Sequence, residues 1–380
     1  MTFRNRLILL LLACSPALLF SSNAHGELLV VDESISPLPI TAHTGTKPQS
    51  KLWELNDRWW GCFSDSSGTY IWGLAGNLWI RALKLTSHTD VRADVLASGT
   101  FVEILLFRGV NSSLVRATYF EELGGYRPIG PEIPITLDEG VETATIARAG
   151  SELWVASDGI SQINVRWLGP ADQSFSGPIT LYEGVSNDDI CLITSFRDDS
   201  VGVLWSNQNT QRYGFRRHVG PSEPHQWFPD EIPDGASAMD HGDGMSDDHL
   251  NAAVAKDGTL YVTVKTSYDT DGMPLVGCLI RRPHGRWDPL YHVDDEGSRG
   301  VMVLDESIGR THIIYSSYRD STIVARSSGT DSIAYSDRTV LIKKPRINNV
   351  SVPRQTVSGS IPIVASQGDS LMHTVMVKSQ

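Results

Sequence analysis

The sequence has few of the features that mark a helical or disulfide-stabilised protein. After residue 26, no stretch repeats its apolar residues with the 3.6-residue period of an α-helix. There are four cysteines and no CxxC pair, and the three after residue 26 each lie in an apolar, strand-like segment: Cys62, Cys191 and Cys278. An odd number at such positions indicates buried thiols rather than a disulfide framework or a structural zinc site.

The motifs of several common catalytic sites are also missing. The sequence contains no GxSxG nucleophile turn, no HExxH metal-binding helix and no phosphate-binding loop. A basic excess is missing as well, because the formal net charge is −12. This charge argues against nucleic acid or an anionic membrane as the main partner. An acidic ligand is still allowed, since a local basic patch can oppose the total charge.

The longest apolar run, LILLLLACSPALLF, is shorter than the roughly 20 residues needed to span a membrane. It follows the basic MTFRNR and precedes the small residues of SSNAHG, which is the pattern of a cleaved secretory signal peptide over residues 1–26. We expect cleavage after Ala24 or Gly26, a secreted or periplasmic protein, and one domain over residues 27–380. LLAC at 11–14 also resembles a lipoprotein box, but SPALLF continues the apolar run beyond Cys14, so lipidation ranks second.

The remaining chain is rich in short Val, Ile, Leu, Tyr and Trp runs separated by Gly, Asp, Ser and Pro, which predicts an all-β protein. One unit recurs seven times: a polar cluster and short strand, a turn, a very apolar second strand, a polar loop and a third strand. The second strands are predicted at 58–65, 101–108, 152–158, 201–208, 259–267, 311–317 and 361–367.

The units start near residues 51, 93, 142, 188, 248, 299 and 354, at intervals typical of four-stranded propeller blades. We therefore predict a seven-bladed β-propeller. The last unit lacks a fourth strand, which ELLVVDES or PLPIT near the N terminus could supply to close the ring. A β-sandwich or two β-domains are the alternatives, and the absence of a Pro-, Gly- or Ser-rich linker favours a single domain.

In a propeller, the first strands line the central channel and their heads meet at one face, together with the loops after the second strands. The heads gather bases, carboxylates and one histidine, His249 in MSDDHLNAAV. Such mixed-charge clusters in a concave site are where binding and catalysis concentrate. The predicted catalytic residues are His249, Asp248, Glu142, Asp188 and Tyr268. The predicted substrate-binding residues are Lys51, Arg92, Asp94, Asp189, Asp247, Asn251, Lys265, Arg299, Arg354, Gln355 and Asn207.

Each of these residues has a structural alternative. Aspartates at strand starts commonly bind turn amides or tie neighbouring blades together. The tryptophans of RWWG, ELWVA and VLWSN are expected in the blade cores rather than on a sugar-stacking surface. SYDTDG and MDHGDG could bind Ca²⁺, but neither has the spacing of a calcium loop, so we expect no cofactor or metal.

The segments SKLW, RADV, NDDI with GVLWSNQ, DDHLN with VKTS, RGVMVLD and INNVSVPRQTV resemble a family of secreted bacterial seven-bladed β-propeller proteins. The resemblance covers nearly all of the chain after residue 26 and implies the fold rather than an activity. GSRGVMV and VPRQTV depart from the family pattern, although Arg354 keeps the positive charge. At longer range the architecture resembles sialidase and polysaccharide-lyase propellers, but the sialidase Asp-box is absent.

Three classes of function remain, and the third of them is a structural scaffold whose polar ring only bonds neighbouring blades. The first is a secreted enzyme that acts on an anionic glycan, either as a lyase or as a glycoside hydrolase. A lyase needs a cation, a base and an acid, for which Arg299, His249 and Tyr268 are candidates, whereas a hydrolase needs two carboxylates. The second is a lectin-like propeller that binds a glycan or protein without catalysis. The seven heads differ chemically, which favours one composite site and an enzyme. We expect a monomer.

Overall fold

The computed structural model describes residues 26–45, 47–220, 222–233, 241–354 and 359–379. Apart from Gly26, the predicted signal peptide lies outside these ranges, and so does Gln355. Within them the only helix is the short 3-10 turn Glu121–Leu123. No described helix is long and apolar enough to cross a membrane.

Twenty-nine strands form seven antiparallel sheets that follow one another along the chain, which confirms the all-β, seven-bladed propeller. Two short N-terminal strands, β1 (Leu28–Asp32) and β2 (Leu38–Pro39), precede the first blade.

Blade 1 contains β3 (Leu52–Leu55), β4 (Arg58–Asp65), β5 (Gly68–Ala75) and β6 (Leu78–Thr86). Blade 2 contains β7 (Arg92–Ser98), β8 (Phe101–Phe107), β9 (Asn111–Phe120), β10 (Gly125–Pro128) and β11 (Ile133–Thr136). Blade 3 contains β12 (Ala144–Ala149), β13 (Glu152–Asp158), β14 (Gln162–Leu168) and β15 (Ile179–Glu183). Blade 4 contains β16 (Cys191–Ser195), β17 (Val201–Asn207) and β18 (Arg212–Arg217).

Blade 5 contains β19 (Leu250–Val254), β20 (Leu260–Lys265), β21 (Val276–Arg281) and β22 (Tyr291–Asp294). Blade 6 contains β23 (Ser298–Asp305), β24 (Arg310–Ser317), β25 (Thr322–Gly329) and β26 (Thr339–Lys343). Blade 7 contains β27 (Ile347–Ser351), β28 (Ser360–Gln367) and β29 (Leu371–Ser379), which β1 and β2 complete.

The hydrophobic core lies between neighbouring blades, because each sheet is covered on both faces. Trp154 of blade 3 packs in one cluster with Cys191 and Trp205 of blade 4. Trp60 fills the equivalent layer between blades 1 and 2. All three described cysteines are buried free thiols, as predicted. These tryptophans are therefore core residues, which explains why the second strands are so uniformly apolar.

The N terminus closes the ring, as the sequence predicted. β29 pairs with β1 through Leu28↔Ser379 to Val30↔Val377, and with β2 through Leu38↔Met372. Both candidate segments contribute, rather than one or the other. The first and last parts of the chain thus share one sheet, in which β1 and β2 cover the outer edge of β29.

Blade 7 begins earlier than predicted. The other six first strands begin within three residues of their predicted starts, but β27 begins at Ile347 rather than near 354. The alternation of INNVSV puts Val350 and Val352 into the core, so this segment forms the inner strand. Arg354 therefore follows the strand instead of heading it, and the prediction for blade 7 was wrong.

Polar side chains on the first strands tie blades together. The Asp94 carboxylate of blade 2 accepts the backbone N–H of Ile146 in blade 3 (2.8 Å). The Thr145 hydroxyl likewise accepts the N–H of Ile193 in blade 4 (2.9 Å). Adjacent sheets share no hydrogen-bond ladder, and these bonds connect them instead. They also explain why some of the first-strand residues in the sequence are polar.

Candidate functional site

Every first strand starts at the same face of the propeller, and the loop between the second and third strands of each blade returns to it because the strands alternate in direction. We call this the mouth face. It carries the residues just before β12, β16 and β19 and the loops after β17, β20 and β24.

The chain itself covers the centre of this face. Residues 44–45 and 47–50, which we call the axial segment, connect β2 to β3 and contact four blades. The Thr44 hydroxyl donates to the carbonyl of Asn349 in blade 7 (2.5 Å), and Gln49 donates to the carbonyl of Ala144 in blade 3 (2.9 Å). Ser50 donates its backbone N–H to Asp94 in blade 2 (2.9 Å). The axial segment therefore lies across the channel rather than outside the ring.

Lys47 of the axial segment neutralises the acidic heads of two blades. Its ammonium lies 2.5 Å from Glu142 Oε1 and 2.5 Å from Asp248 Oδ2, and its side chain is almost fully buried. Asp188, which is exposed, places a carboxylate oxygen within 4.8 Å of those of Glu142 and Asp248. Three predicted catalytic carboxylates from blades 3, 4 and 5 are thus brought together around a lysine that sequence reasoning missed.

A second group adjoins Asp248. His249 Nδ1 contacts Asp248 and lies 3.1 Å from Asp247 Oδ1. Lys265 pairs with Asp247, and the Ser267 hydroxyl donates to the same carboxylate (3.0 Å). His249 Nε2 is buried and has no hydrogen-bond partner among the described residues. Since one ring nitrogen is engaged and the other is enclosed, His249 is poorly placed to take a proton from a substrate in this state.

The pKa values of Asp248 and Asp158 are shifted in opposite directions. Burial raises the pKa of Asp248, but hydrogen bonds to His249 and Asp247 and the charges of His249 and Lys47 outweigh it and hold the pKa well below its usual range. Asp158 is the opposite case: burial raises its pKa to about 7 although it accepts the backbone N–H groups of Glu142 and Thr143. Asp248 is therefore ionised at neutral pH, and the partly protonated Asp158 is fully buried.

Beneath the axial segment the channel is filled. Arg354 reaches across from blade 7, donating to both carboxylate oxygens of Asp94 (2.5 and 2.7 Å) and to the carbonyl of Ile146 (2.6 Å). The cavity left on the axis, lined by Gln49 and Asn251 among others, has a volume of only about 20 Å³. The described structure therefore has no axial ligand pocket of the kind the sequence led us to expect, because the chain's own side chains occupy it.

Several predicted binding residues have structural partners. Asn251 donates to the carbonyl of Pro48 and accepts from Met302, and Asp189 accepts the N–H groups of Ser186 and Gln208. Lys51 is buried and donates to the carbonyl of Ala93; burial lowers its pKa to about 8 against the charge of Asp94. These contacts satisfy each group within the fold, so none of them needs a ligand.

Tyr268 is also enclosed. Its hydroxyl is buried without a hydrogen-bond partner among the described residues, its ring belongs to the core between blades 4 and 5, and burial raises its pKa to about 12. Its predicted role as the catalytic acid gains no support from this position. Asn207 instead lines a peripheral pocket on the blade 4 side of the mouth face.

Two arginines remain open to a ligand. Arg92, half-buried at the head of blade 2, lies over the ring of Phe107 (4.7 Å) and forms no ion pair within the described ranges. Arg299, at the head of blade 6, donates Nε–H to the hydroxyl of Tyr318 (3.1 Å). Its terminal nitrogens have no hydrogen-bond partner in the part of the chain that the structure describes.

The backbone conformation at Arg299 is unusual. Arg299 has a φ of 58°, in the left-handed region that a branched or long side chain rarely adopts. It lies in a β-bulge, where the pairing of β23 with β24 shifts register between Ser298 and Val301. Bulges redirect side chains near functional sites, and strained non-glycine residues cluster there.

Tyr318 combines an exposed side chain with a lowered pKa. Its side chain is 55% exposed in the loop after β24. Burial raises its pKa, but hydrogen bonds to Ser298, Arg299 and Asn348 and the charge of Arg299 outweigh it, so the pKa lies below its usual value. An exposed phenol with a lowered pKa beside a partly unpaired guanidinium can both take and return a proton. The signal was available in YSSYRDS, where Tyr318 follows a predicted second strand.

Metal ligands are present in two overlapping groups. Asp247, Asp248 and His249 form one, and Glu142, Asp188 and Asp248 form the other, each with its ligand atoms within 4.8 Å. Carboxylate oxygens would suit a hard cation such as Ca²⁺. However, Lys47 and Lys265 already balance part of this charge, so the groups form a counter-ion cluster with the axial segment.

Searches of protein-family models and of curated protein sequences find no match to this chain. A solved structure shares its architecture, and others are more distantly similar. The polysaccharide lyase Uly1 aligns over 93% of this chain and 99% of its own, with a TM-score of 0.54 and 8% identity. An α-L-arabinanase of Penicillium chrysogenum bound to arabinobiose aligns over 79% and 100%, with a TM-score of 0.47 and 8% identity. A lectin of Aleuria aurantia bound to a fucoside aligns over 65% and 78%, with a TM-score of 0.42 and 13% identity. At these identities the likeness shows the fold alone.

Proposed function

We propose that this propeller cleaves a uronate-containing polysaccharide by β-elimination at its mouth face, with Tyr318 and Arg299 as the reacting pair. The observation that carries the proposal is the pair itself: an exposed phenol of lowered pKa, hydrogen-bonded to a guanidinium whose terminal nitrogens are open. A polysaccharide lyase with the same architecture lends the proposal support at the level of the fold.

Tyr318 and Arg299 together supply what the elimination step needs. The Tyr318 phenolate removes the proton on the carbon next to the uronate carboxylate, whose negative charge the terminal N–H groups of Arg299 neutralise. The electron pair then forms a carbon–carbon double bond as the bond to the glycosidic oxygen breaks. The leaving oxygen takes the proton back from the phenol, so no proton, oxidant or reductant is consumed.

Hydrolysis is the less suitable chemistry for this site. The carboxylate oxygens of Glu142, Asp188 and Asp248 lie close together, near the spacing of a retaining glycosidase. A glycosidase also needs one protonated carboxyl as general acid, and the lowered pKa of Asp248 and the ammonium of Lys47 oppose that state. Glu142 and Asp248 instead anchor the axial segment through Lys47.

The test is a screen of the purified protein on uronate polysaccharides that follows ultraviolet absorbance of the unsaturated product and reducing ends in parallel. Tyr318→Phe should lower kcat by about 100- to 10,000-fold, as loss of a general acid–base does. Tyr268→Phe, which removes a buried hydroxyl, should leave it unchanged. Arg299→Lys should be impaired because lysine lacks the forked geometry.

The control for that substitution is Arg319→Lys. The Arg319 side chain is 82% exposed, and its Nε pairs with Glu296 at 3.4 Å, so lysine can replace it there. Reducing ends without absorbance would identify a hydrolase and overturn the proposal. Equal activity of Tyr318→Phe and the unmodified protein would overturn the role of Tyr318. Glycan binding with no product from any substrate would favour the lectin-like alternative.

A further inference from the structure

A pocket of about 400 Å³ lies at the outer edge of blade 4, on the mouth-face side. In the described residues this is the one blade without a fourth strand. Its place is taken in part by the segment before residue 234, which pairs with β18 through Phe215 and Glu231. The pocket opens where this pairing ends, and its volume is within the range of sites that bind small ligands.

Within the described residues, the edge of β18 has unpaired backbone groups next to this pocket. Phe215 and Glu231 exchange both of their backbone hydrogen bonds (2.9 and 2.7 Å). Tyr213 lies two residues earlier and so faces the same edge, where Pro233 is opposite it and has no N–H to donate. The backbone N–H and C=O of Tyr213 have no hydrogen-bond partner among the described residues outside the ladder with β17.

One aromatic ring, that of Tyr182, forms part of the pocket wall, and it is backed by Trp205, a core residue that is only 1% exposed. Tyr182 and Trp205 lie 5.0 Å apart with their planes 32° from each other. Gly214 allows this, because a Cβ there would come within 2.2 Å of the indole of Trp205. Asn207 donates to the Tyr182 hydroxyl (3.2 Å), which fixes the ring. The aromatic surface that a ligand would meet is therefore the ring of Tyr182.

The charges around the pocket are already matched. Glu231 accepts two hydrogen bonds from Arg281 (2.6 Å each) and one from the indole of Trp287 (2.8 Å). Asp230 pairs with Arg216. The third charged residue of the lining, Arg212, also has an interaction within the protein. The surface left for a ligand is therefore the aromatic face of Tyr182 and the neutral edge of β18. An uncharged sugar presents the complementary surface, an apolar C–H face with a rim of hydroxyls.

We infer that this pocket is a subsite for an uncharged sugar unit of the polysaccharide, and this inference rests on the proposed function. The uronate unit would bind at the Tyr318–Arg299 pair, and a neutral unit further along the same chain would bind at blade 4. The pocket and the reacting pair lie on the same face, so one glycan chain can lie along that face and contact both. The substrate class is then a polysaccharide that combines uronate and neutral sugars.

The test measures binding without turnover, using short uncharged oligosaccharides of glucose, galactose, xylose, arabinose and rhamnose as probes for calorimetry and saturation-transfer NMR. Tyr182→Ala should weaken the binding of at least one probe about tenfold or more. Ile232→Arg, at an exposed rim position, should do the same without disturbing the core. Tyr70→Ala is the matched control, because Tyr70 packs on Trp72 in blade 1 in a similar pair (5.9 Å).

Loss of binding in both pocket variants, with Tyr70→Ala and Tyr318→Phe unaffected, supports the subsite. Absence of binding by every probe, or binding that neither pocket variant changes, overturns it. Binding that is lost only in Tyr318→Phe would place the sugar at the reacting pair and would also overturn it. Product absorbance from uronate substrates is scored separately, so a failed subsite and a failed lyase give different results.

Discussion

Asp94 links four blades and is the residue whose replacement should most damage the ring. Its buried carboxylate accepts the N–H of Ser50 in the axial segment just ahead of blade 1 and that of Ile146 in blade 3, and it binds Arg354, which follows the first strand of blade 7. Replacing it with alanine removes all of these bonds and leaves a guanidinium in the channel without its counter-ion.

The expected loss in the free energy of unfolding follows from these contacts. Removing one partner of a buried ion pair costs about 3–5 kcal/mol. Each of the two N–H groups left without an acceptor costs about 1–3 kcal/mol more. We therefore expect Asp94→Ala to lose at least about 5 kcal/mol, a large part of the roughly 5–15 kcal/mol by which a folded domain is stable.

The assay is equilibrium urea unfolding followed by tryptophan fluorescence. Asp189→Ala is the matched control, because this carboxylate is also fully buried but binds backbone N–H groups of its own blade and its entry loop. It should lose about 1–3 kcal/mol. In Asp94→Ala/Arg354→Ala no charge is left unpaired, so the double variant should be less unstable than the sum of the two single variants.

A loss of about 1 kcal/mol or less in Asp94→Ala would refute this reasoning, since the carboxylate would then not hold the blades together. Additive single variants would refute the ion pair as the cause, even if stability falls.

Three further outcomes are expected. Burial raises the folded-state pKa of Asp158 from 3.8 to about 7, so the fold should lose about 4 kcal/mol as the pH rises through that window, and Asp158→Asn should remove this slope in urea titrations at different pH values. Lys47→Met should lose about 2–4 kcal/mol at neutral pH because it leaves two carboxylates without their counter-ion, and a loss below about 1 kcal/mol would contradict the ion pairs. Gly214→Ala should lower the melting temperature by several degrees because its Cβ would collide with Trp205, whereas Gly177→Ala, with open space around it, should not.

The fold was predictable because propeller blades leave a local pattern. Strands such as β13 and β28 are apolar on both faces, and their spacing repeats along the chain, so their bounds were found almost to the residue. β27 was misplaced because INNVS is polar for an inner strand. Its bulge and the left-handed Asn349 come from contacts with the axial segment, which depend on the folded ring.

The site was predictable only in part. Grouping Glu142, Asp188 and Asp248 followed from the shared position of strand heads, and the structure brings them together. Lys47 could not be found in this way, because it belongs to a connection rather than to a repeat unit. The same holds for the path of Arg354, which depends on the channel width and on what fills it.

The pairing of β1 and β2 with β29 has a consequence for how the protein is made. The strands that close the ring lie at opposite ends of the described chain, so the last blade cannot form until residues near 379 have been synthesised. Until then, the apolar faces of blades 1 and 6 that pack against blade 7 in the closed ring are exposed. A chain cut short before β29 would therefore be an open ring prone to pair with other molecules, rather than a smaller propeller.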